Sequence, residues 1–123
     1  MSHTEDFTDV LKVPHLSRGP SNVFPLYGRL GKGLILFKIP VSNTTDSYLV
    51  HFVLEMHTPH TQLTQRVMDT LNVNQGDVVK INGLTCTVKK SDIFNILGLD
   101  FLQCIQGRVS LDFANGWATI YKA

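Results

Sequence analysis

The sequence predicts a small, mostly β domain with one or two short helices, and three observations carry that prediction. Asn82-Gly83 and Asn115-Gly116 each stand between short runs of β-forming residues, and Asn-Gly is the strongest short-range hairpin signal. The run "YLVHFVLEM" is the most apolar in the chain and is expected to form a central or near-central strand. Only one stretch, "TQRVMDTLNV", shows a clear helical pattern, with Val67, Met68 and Leu71 on one face and Thr64 as a fair N-cap.

The elements follow in order. Residues 1–22 contain "KVPHLSRGPSN", rich in Pro, Ser and Gly, and are expected to form an arm or linker. A disordered tail is the preferred expectation there, with one amphipathic turn in "FTDVLKV" as the alternative. From residue 23 to residue 123 the chain is expected to form one domain. "NVFPLYGRLG" and "KGLILFKIPVS" are β-rich segments joined at Gly31-Lys32-Gly33, and "SNTTDS" is a polar turn. After "YLVHFVLEM" and a turn around Pro59 comes the helix at Thr64. "GDVVKINGLTCTVKK" is a hairpin about Asn82-Gly83. "FNIL" is a strand, and Gly98 lets the chain break into a short helix through "LDFLQC". "RVSLDFANGWATIYKA" is a second hairpin, with Val109, Leu111 and Phe113 alternating.

Composition limits the function. A chain of 123 residues is one domain by length. It is 43% hydrophobic and only 17% charged, below the usual quarter, so some apolar surface is expected to be covered by a partner. A net charge of +1 gives no basic field, which argues against nucleic-acid binding through phosphate neutralisation. No window reaches the ~18 apolar residues of a membrane span. "MSHTEDFTDV" lacks the apolar core of a secretory signal. Cys86 and Cys104 lack zinc spacing and sit among apolar residues, so buried free thiols in a reducing compartment are expected. An intracellular location, cytoplasm or nucleus, follows as an expectation.

Two segments carry a resemblance. The first is an apolar strand, an acid, a tight loop and a helix: "FVLEMHTPHTQLTQRVMDTLNV". The second is "ILGLDFL", two hydrophobic residues and a glycine followed by a short helix. In this order they resemble the retropepsin-like aspartic proteases of retroviruses, retroelements and genes domesticated from them. The resemblance runs from about Phe24 to the C-terminus. It implies a half-barrel that is completed by a homodimer. Its motif positions here are Ile96, Leu97, Gly98, Asp100, Phe101 and Leu102, with Asp100 capping or pairing in the short helix. The flap-like hairpin falls on Ile81, Asn82, Gly83 and Leu84, with shorter strands than the family's glycine-rich flap. Such a flap would close the cleft poorly against water.

The family's Asp, Thr or Ser, Gly motif falls on Glu55, Met56 and His57, so the frame is kept and all three letters differ. In the family each subunit gives one Asp, and the pair shares a proton and holds a water. The extra methylene of Glu55 displaces its carboxylate by on the order of 1 Å, enough to cost about 10²-fold in a positioned reaction. Met56 lacks the hydroxyl that links the two loops across the dimer. His57 puts an imidazole where a glycine lets backbone and water approach, and a charged imidazole would spoil proton sharing. No catalytic residue is therefore expected. Glu55 is expected to serve its own loop, through backbone N–H groups or His57.

The remaining candidates take ordinary roles. His51, His57 and His60 lie close in sequence, but H-x-x-H in a loop with no third ligand is not a metal pattern, and neither a metal nor a cofactor is expected. Asp69 and Asp112 are expected to be solvated. Phe113, Trp117 and Tyr121 are expected in core and interface and not as a base-stacking platform, because no basic residue interleaves with them in sequence. The dimer interface is expected at Glu55, Met56, His57, Trp117, Thr119, Ile120 and Tyr121, with "WATIYKA" as an otherwise exposed terminal strand. The expected function is non-enzymatic: homodimerisation, and binding of another protein or peptide by strand addition, with no membrane or nucleic-acid partner. The alternatives are an active, divergent aspartyl-type endopeptidase using paired Glu55 carboxylates, and a plain β-barrel interaction domain.

Overall fold

The computed structural model describes residues 5–21 and 24–123. Eleven strands and three short helices follow in chain order: α1 Thr8–Leu11, β1 Ser17–Arg18, β2 Leu26–Gly31, β3 Leu34–Ser42, β4 Ser47–Leu54, β5 Leu63–Thr64, α2 Gln65–Leu71, β6 Val78–Ile81, β7 Leu84–Thr87, β8 Lys90–Ser91, β9 Asn95–Leu97, α3 Leu99–Cys104, β10 Arg108–Asp112 and β11 Trp117–Tyr121. The mostly β expectation holds. The helix beyond the expected one or two is α1.

The main sheet runs β1-β4-β3-β2-β11-β10. β6 also pairs with β3, and β9 pairs parallel with β4. The longest contact is β3 against β4, with Phe37 opposite Phe52 and Ile39 opposite Val50. Phe37, Ile39, Val41, Val50, Phe52 and Leu54 line the main core, which α2 closes with Val67, Met68 and Leu71. The hairpin at Asn82-Gly83 forms as expected, because both residues take positive φ, 49° and 84°, as the tight primed turn requires. The same hairpin is held to the sheet by Asn82 N–H donating to the Pro40 carbonyl at 2.8 Å.

Helix α2 starts where the sequence indicates. Thr64 is extended and its hydroxyl oxygen accepts from the Val67 N–H at 3.4 Å, while its hydroxyl proton goes to Glu5 Oε2 at 2.9 Å. Thr64→Ala removes both contacts and is expected to lower unfolding free energy by about 1.5 kcal/mol, measured by urea denaturation.

Over residues 5–19 the arm is not the disordered tail expected from its composition. It lies across β3 and β4, with Phe7 and Leu11 packed on Leu36 and Val53 in a second apolar cluster. The cause is in β4. Val50, Phe52 and Leu54 fill one face, while His51 and Val53 are buried on the other, so the strand needs cover on both sides. Polar contacts fasten the cover. His51 accepts the Phe7 N–H at Nδ1 (2.9 Å) and donates from Nε2 to the Val13 carbonyl (2.8 Å). The His51 N–H in turn donates to His15 Nδ1 at 3.1 Å. His15 Nε2 donates to Glu5 Oε2 at 2.7 Å, where Asn95 Nδ2 also donates at 2.9 Å. Burial works to raise the Glu5 carboxyl, but the hydrogen bonds from His15, Asn95 and Thr64 outweigh it and hold it below the usual value.

Three further expectations are corrected. β11 is no terminal edge: it pairs with β2 on one side and β10 on the other, and Ile120 is 0% exposed. The hairpin folds back, so β10 forms the edge. Phe113 is no core residue. It sits in the turn between β10 and β11 and is 78% exposed. Neither thiol is fully buried either, since Cys86 is half-buried and Cys104 exposed. Cys86 shares the core-facing side of β7 with Leu84 but sits at the core's margin, and Cys104 falls at the outer end of α3.

Candidate functional site

Glu55 lies where β4 ends. β9 runs parallel beside the last residues of β4, with Leu54 level with Leu97, and the Glu55 N–H donates to the Leu97 carbonyl at 3.1 Å. The chain then turns through Met56–His60 and returns along the other edge of β9, where Gln62 and Ile96 exchange two backbone hydrogen bonds of 2.9 Å each. β9 is thus threaded between β4 and the returning segment. The two expected motifs, the acid loop and "ILGLDFL", meet at this crossing.

Gly98 and Asp100 hold the crossing together. A Cβ on Gly98 would lie 2.6 Å from the His60 carbonyl carbon and 2.8 Å from Thr61 N, so only glycine allows the two backbones this close. The Asp100 carboxylate reaches back to Thr61. It accepts the Thr61 hydroxyl at 2.7 Å and the Thr61 N–H at 3.0 Å, and it also takes the Phe101 N–H at 2.7 Å. The Thr61 hydroxyl oxygen accepts the Gly98 N–H at 3.0 Å. Leu99 and Asp100 N–H groups donate to the Thr58 and Pro59 carbonyls. Asp100 therefore pairs with Thr61. Thr61, its buried partner, has no distinguishing mark in the sequence. Of the other motif residues, Leu97, Phe101 and Leu102 are buried and Ile96 is half-buried.

Glu55, Met56 and His57 lie on the open side of this crossing. Glu55 is half-buried, and its Oε2 accepts the Thr58 hydroxyl at 2.9 Å, so the carboxylate serves its own loop through a threonine and not through His57. Met56 is 45% exposed and lines a shallow depression with Leu99, Leu102 and Val109. His57 and His60 point to solvent, and His51 is spent on the arm. Among the described residues no three His, Cys, Asp or Glu side chains gather in a metal-binding group. No helix among them is long and apolar enough to cross a membrane.

A separate groove of about 450 Å³ lies between β7, α3 and the loop at His60, with Leu84, Cys86, Phe101 and Lys89 in its lining. Burial, with Asp100 and Cys104 nearby, pushes the Cys86 thiol up to about 11, so it stays protonated and unreactive near neutral pH. Of the flap-like residues, Ile81 and Asn82 are buried, Leu84 is half-buried and Gly83 is exposed. The C-terminal aromatics face outward. Contrary to the sequence expectation, basic residues do interleave with them: Arg29 lies over the Trp117 ring at 4.3 Å and Arg108 over Tyr121 at 4.6 Å. Thr119 stands between those two rings along β11.

No protein-family model and no curated protein sequence matches the chain. The fold does resemble a solved one, the crystal structure of a retropepsin-like aspartic protease from Rickettsia conorii. The TM-score is 0.54 at 12% sequence identity, over 88% of this chain and 99% of that one. The architecture is thus that of a retropepsin-like aspartic protease domain, mostly β with short helices. At this identity the likeness concerns the fold alone.

Proposed function

We propose that this chain is a catalytically degenerate retropepsin-like module that pairs with a second copy of itself and holds a partner peptide. The observation that carries the pairing is the free edge of β10. Among the described residues β10 pairs only with β11. Its sequence Arg108-Val109-Ser110-Leu111-Asp112 is self-complementary. Laid antiparallel on its own copy about Ser110, Arg108 faces Asp112 on one face and Val109 faces Leu111 on the other. Val109 and Met56 line the same depression, so the edge and the altered acid loop form one continuous surface. This interface replaces the β11 strand of the sequence expectation. The loss of catalysis rests on Glu55, Met56 and His57 standing at the three motif positions.

The partner peptide lies as an added strand along β7, which among the described residues pairs only with β6, with the groove beneath it. Sedimentation tests the pairing. Ser110 is exposed, so Ser110→Lys leaves the fold intact and sets two ammonium groups face to face at the axis. The natural chain is expected to sediment as a dimer at micromolar concentration and the variant as a monomer. A natural chain that sediments as a monomer would remove the proposal.

A further inference from the structure

The arm is fastened through buried imidazole nitrogens that accept backbone N–H groups. Side chains of His15 and His51 are 0% exposed. Each ring has one bare nitrogen accepting a backbone N–H, Phe7 on His51 Nδ1 and His51 on His15 Nδ1, and one protonated nitrogen donating to an oxygen. The His51 ring is therefore neutral in the closed arm. A proton added at His51 Nδ1 would meet the Phe7 N–H head on. The groups facing His51 are known from every side. His15 lies against it with ring centroids 4.9 Å apart, Lys38 stands opposite on β3, and Asp6 Oδ1 is 3.9 Å from Nδ1. Asp6 now caps the start of α1, accepting the Thr8 N–H at 2.9 Å and the Thr8 hydroxyl at 2.6 Å.

We propose that residues 5–19 form an acid-released clasp, in which protonation of His51 turns Nδ1 from an acceptor for Phe7 into a donor toward Asp6 and frees the arm from β3 and β4. Release uncovers the apolar cluster of Leu36 and Val53 that Phe7 and Leu11 cover in the closed form. The inference stands apart from the pairing at β10, because the arm pairs with the β4 side of the sheet and β10 is its opposite edge.

The direction follows from linkage. Burial is the largest cause that lowers His51 from 6.5 to about 4 in the closed arm. Above pH 6.5 the ring is neutral whether the arm is open or closed, so closure is pH-independent there. Between 6.5 and 4 only the open arm takes up the proton, and the closed-to-open ratio falls by about tenfold per pH unit. The Glu5 carboxyl, held low in the closed form, adds the same sense below its ordinary value of 4.5.

Hydrogen exchange of the whole chain reads this directly. The protection of the Phe7 amide, corrected for intrinsic rate, is expected to fall about tenfold from pH 6 to pH 5 and to stay well below that of Val50 in the core. In His51→Gln the Phe7 protection is expected to be flat over the same interval. Protection at Phe7 that is constant from pH 6 to 5 in the natural chain overturns the proposal. So does Phe7 protection as high as that of Val50, or a slope that persists in His51→Gln. If that variant does not fold, the imidazole resonance of His51 in the natural chain takes its place. Its titration must then lie below the ordinary 6.5, and a His51 that titrates at or above 6.5 contradicts the clasp.

Discussion

Gly98→Ala is expected to destabilise the domain by about 3 kcal/mol. The added methyl would sit 2.6 Å from a carbonyl carbon and 2.8 Å from both the His60 oxygen and the Thr61 nitrogen. All three atoms are backbone, so no side chain can rotate away. Relief requires the segment 60–62 to separate from β9, which stretches the paired hydrogen bonds between Gln62 and Ile96. The penalty is steric and not conformational, because Gly98 has an extended backbone that any residue adopts (φ −94°, ψ −179°). Urea denaturation should therefore show a lower midpoint with an unchanged slope. A variant within 1 kcal/mol of the natural chain, on this order-of-magnitude scale, would mean that the crossing is looser than described.

Asp100→Ala is expected to cost a similar amount, about 3 kcal/mol, for a different reason. The carboxylate takes the hydroxyl and N–H of Thr61, and Thr61 is 2% exposed. Removing the acceptor leaves those donors buried without a partner and frees the α3 start from the returning loop. Thr61→Ala should be mostly redundant with it, because the two side chains act as one unit joining Asp100 to the Gly98 N–H. Denaturation of the two single variants and the double variant forms the cycle that checks this. Strict additivity would show that the two contacts act separately. Asp100→Asn keeps one acceptor oxygen and is expected to lose roughly half as much.

Much of this frame was legible in the sequence, and the reasons are local. Asn82-Gly83 announces a tight turn through positive φ at both residues, while at Asn115-Gly116 only Gly116 takes positive φ (74°) and the loop between β10 and β11 runs over residues 113–116. Thr64 with Val67, Met68 and Leu71 announces a capped, one-faced helix. Gly98 followed by "LDFL" marks a strand breaking into a helix, and the acid loop was located by its position after the apolar strand. What the sequence hid depends on distant partners. The arm looked loose because its own composition is that of a linker. Its anchors, Glu5, Phe7, Leu11 and His15, are spread over eleven residues and take meaning only against β4. One signal was available: "VHFVL" does not alternate, and such a run needs cover on both faces. The edge was misplaced because an apolar terminal strand looks the same whether it pairs on one side or two. Here the β10–β11 hairpin docks on β2 through its last strand, and Val109 and Leu111 remain at the margin.

The same contrast applies to the acid loop. Its frame is preserved by backbone hydrogen bonds and by Asp100, which any side chains at positions 55–57 would leave in place. Its chemistry depends on the side chains themselves, and there Glu55 is engaged by Thr58 while Met56 and His57 face outward.

The central claim, that the acid-protease frame persists here without its hydrolytic activity, is tested most directly by incubating the purified chain with a diverse peptide library from pH 3.5 to 7. Products are then read by mass spectrometry beside a Glu55→Gln control. The account predicts no cleavage by either protein at any pH. Acid-dependent cleavage by the natural chain that vanishes in Glu55→Gln would contradict it.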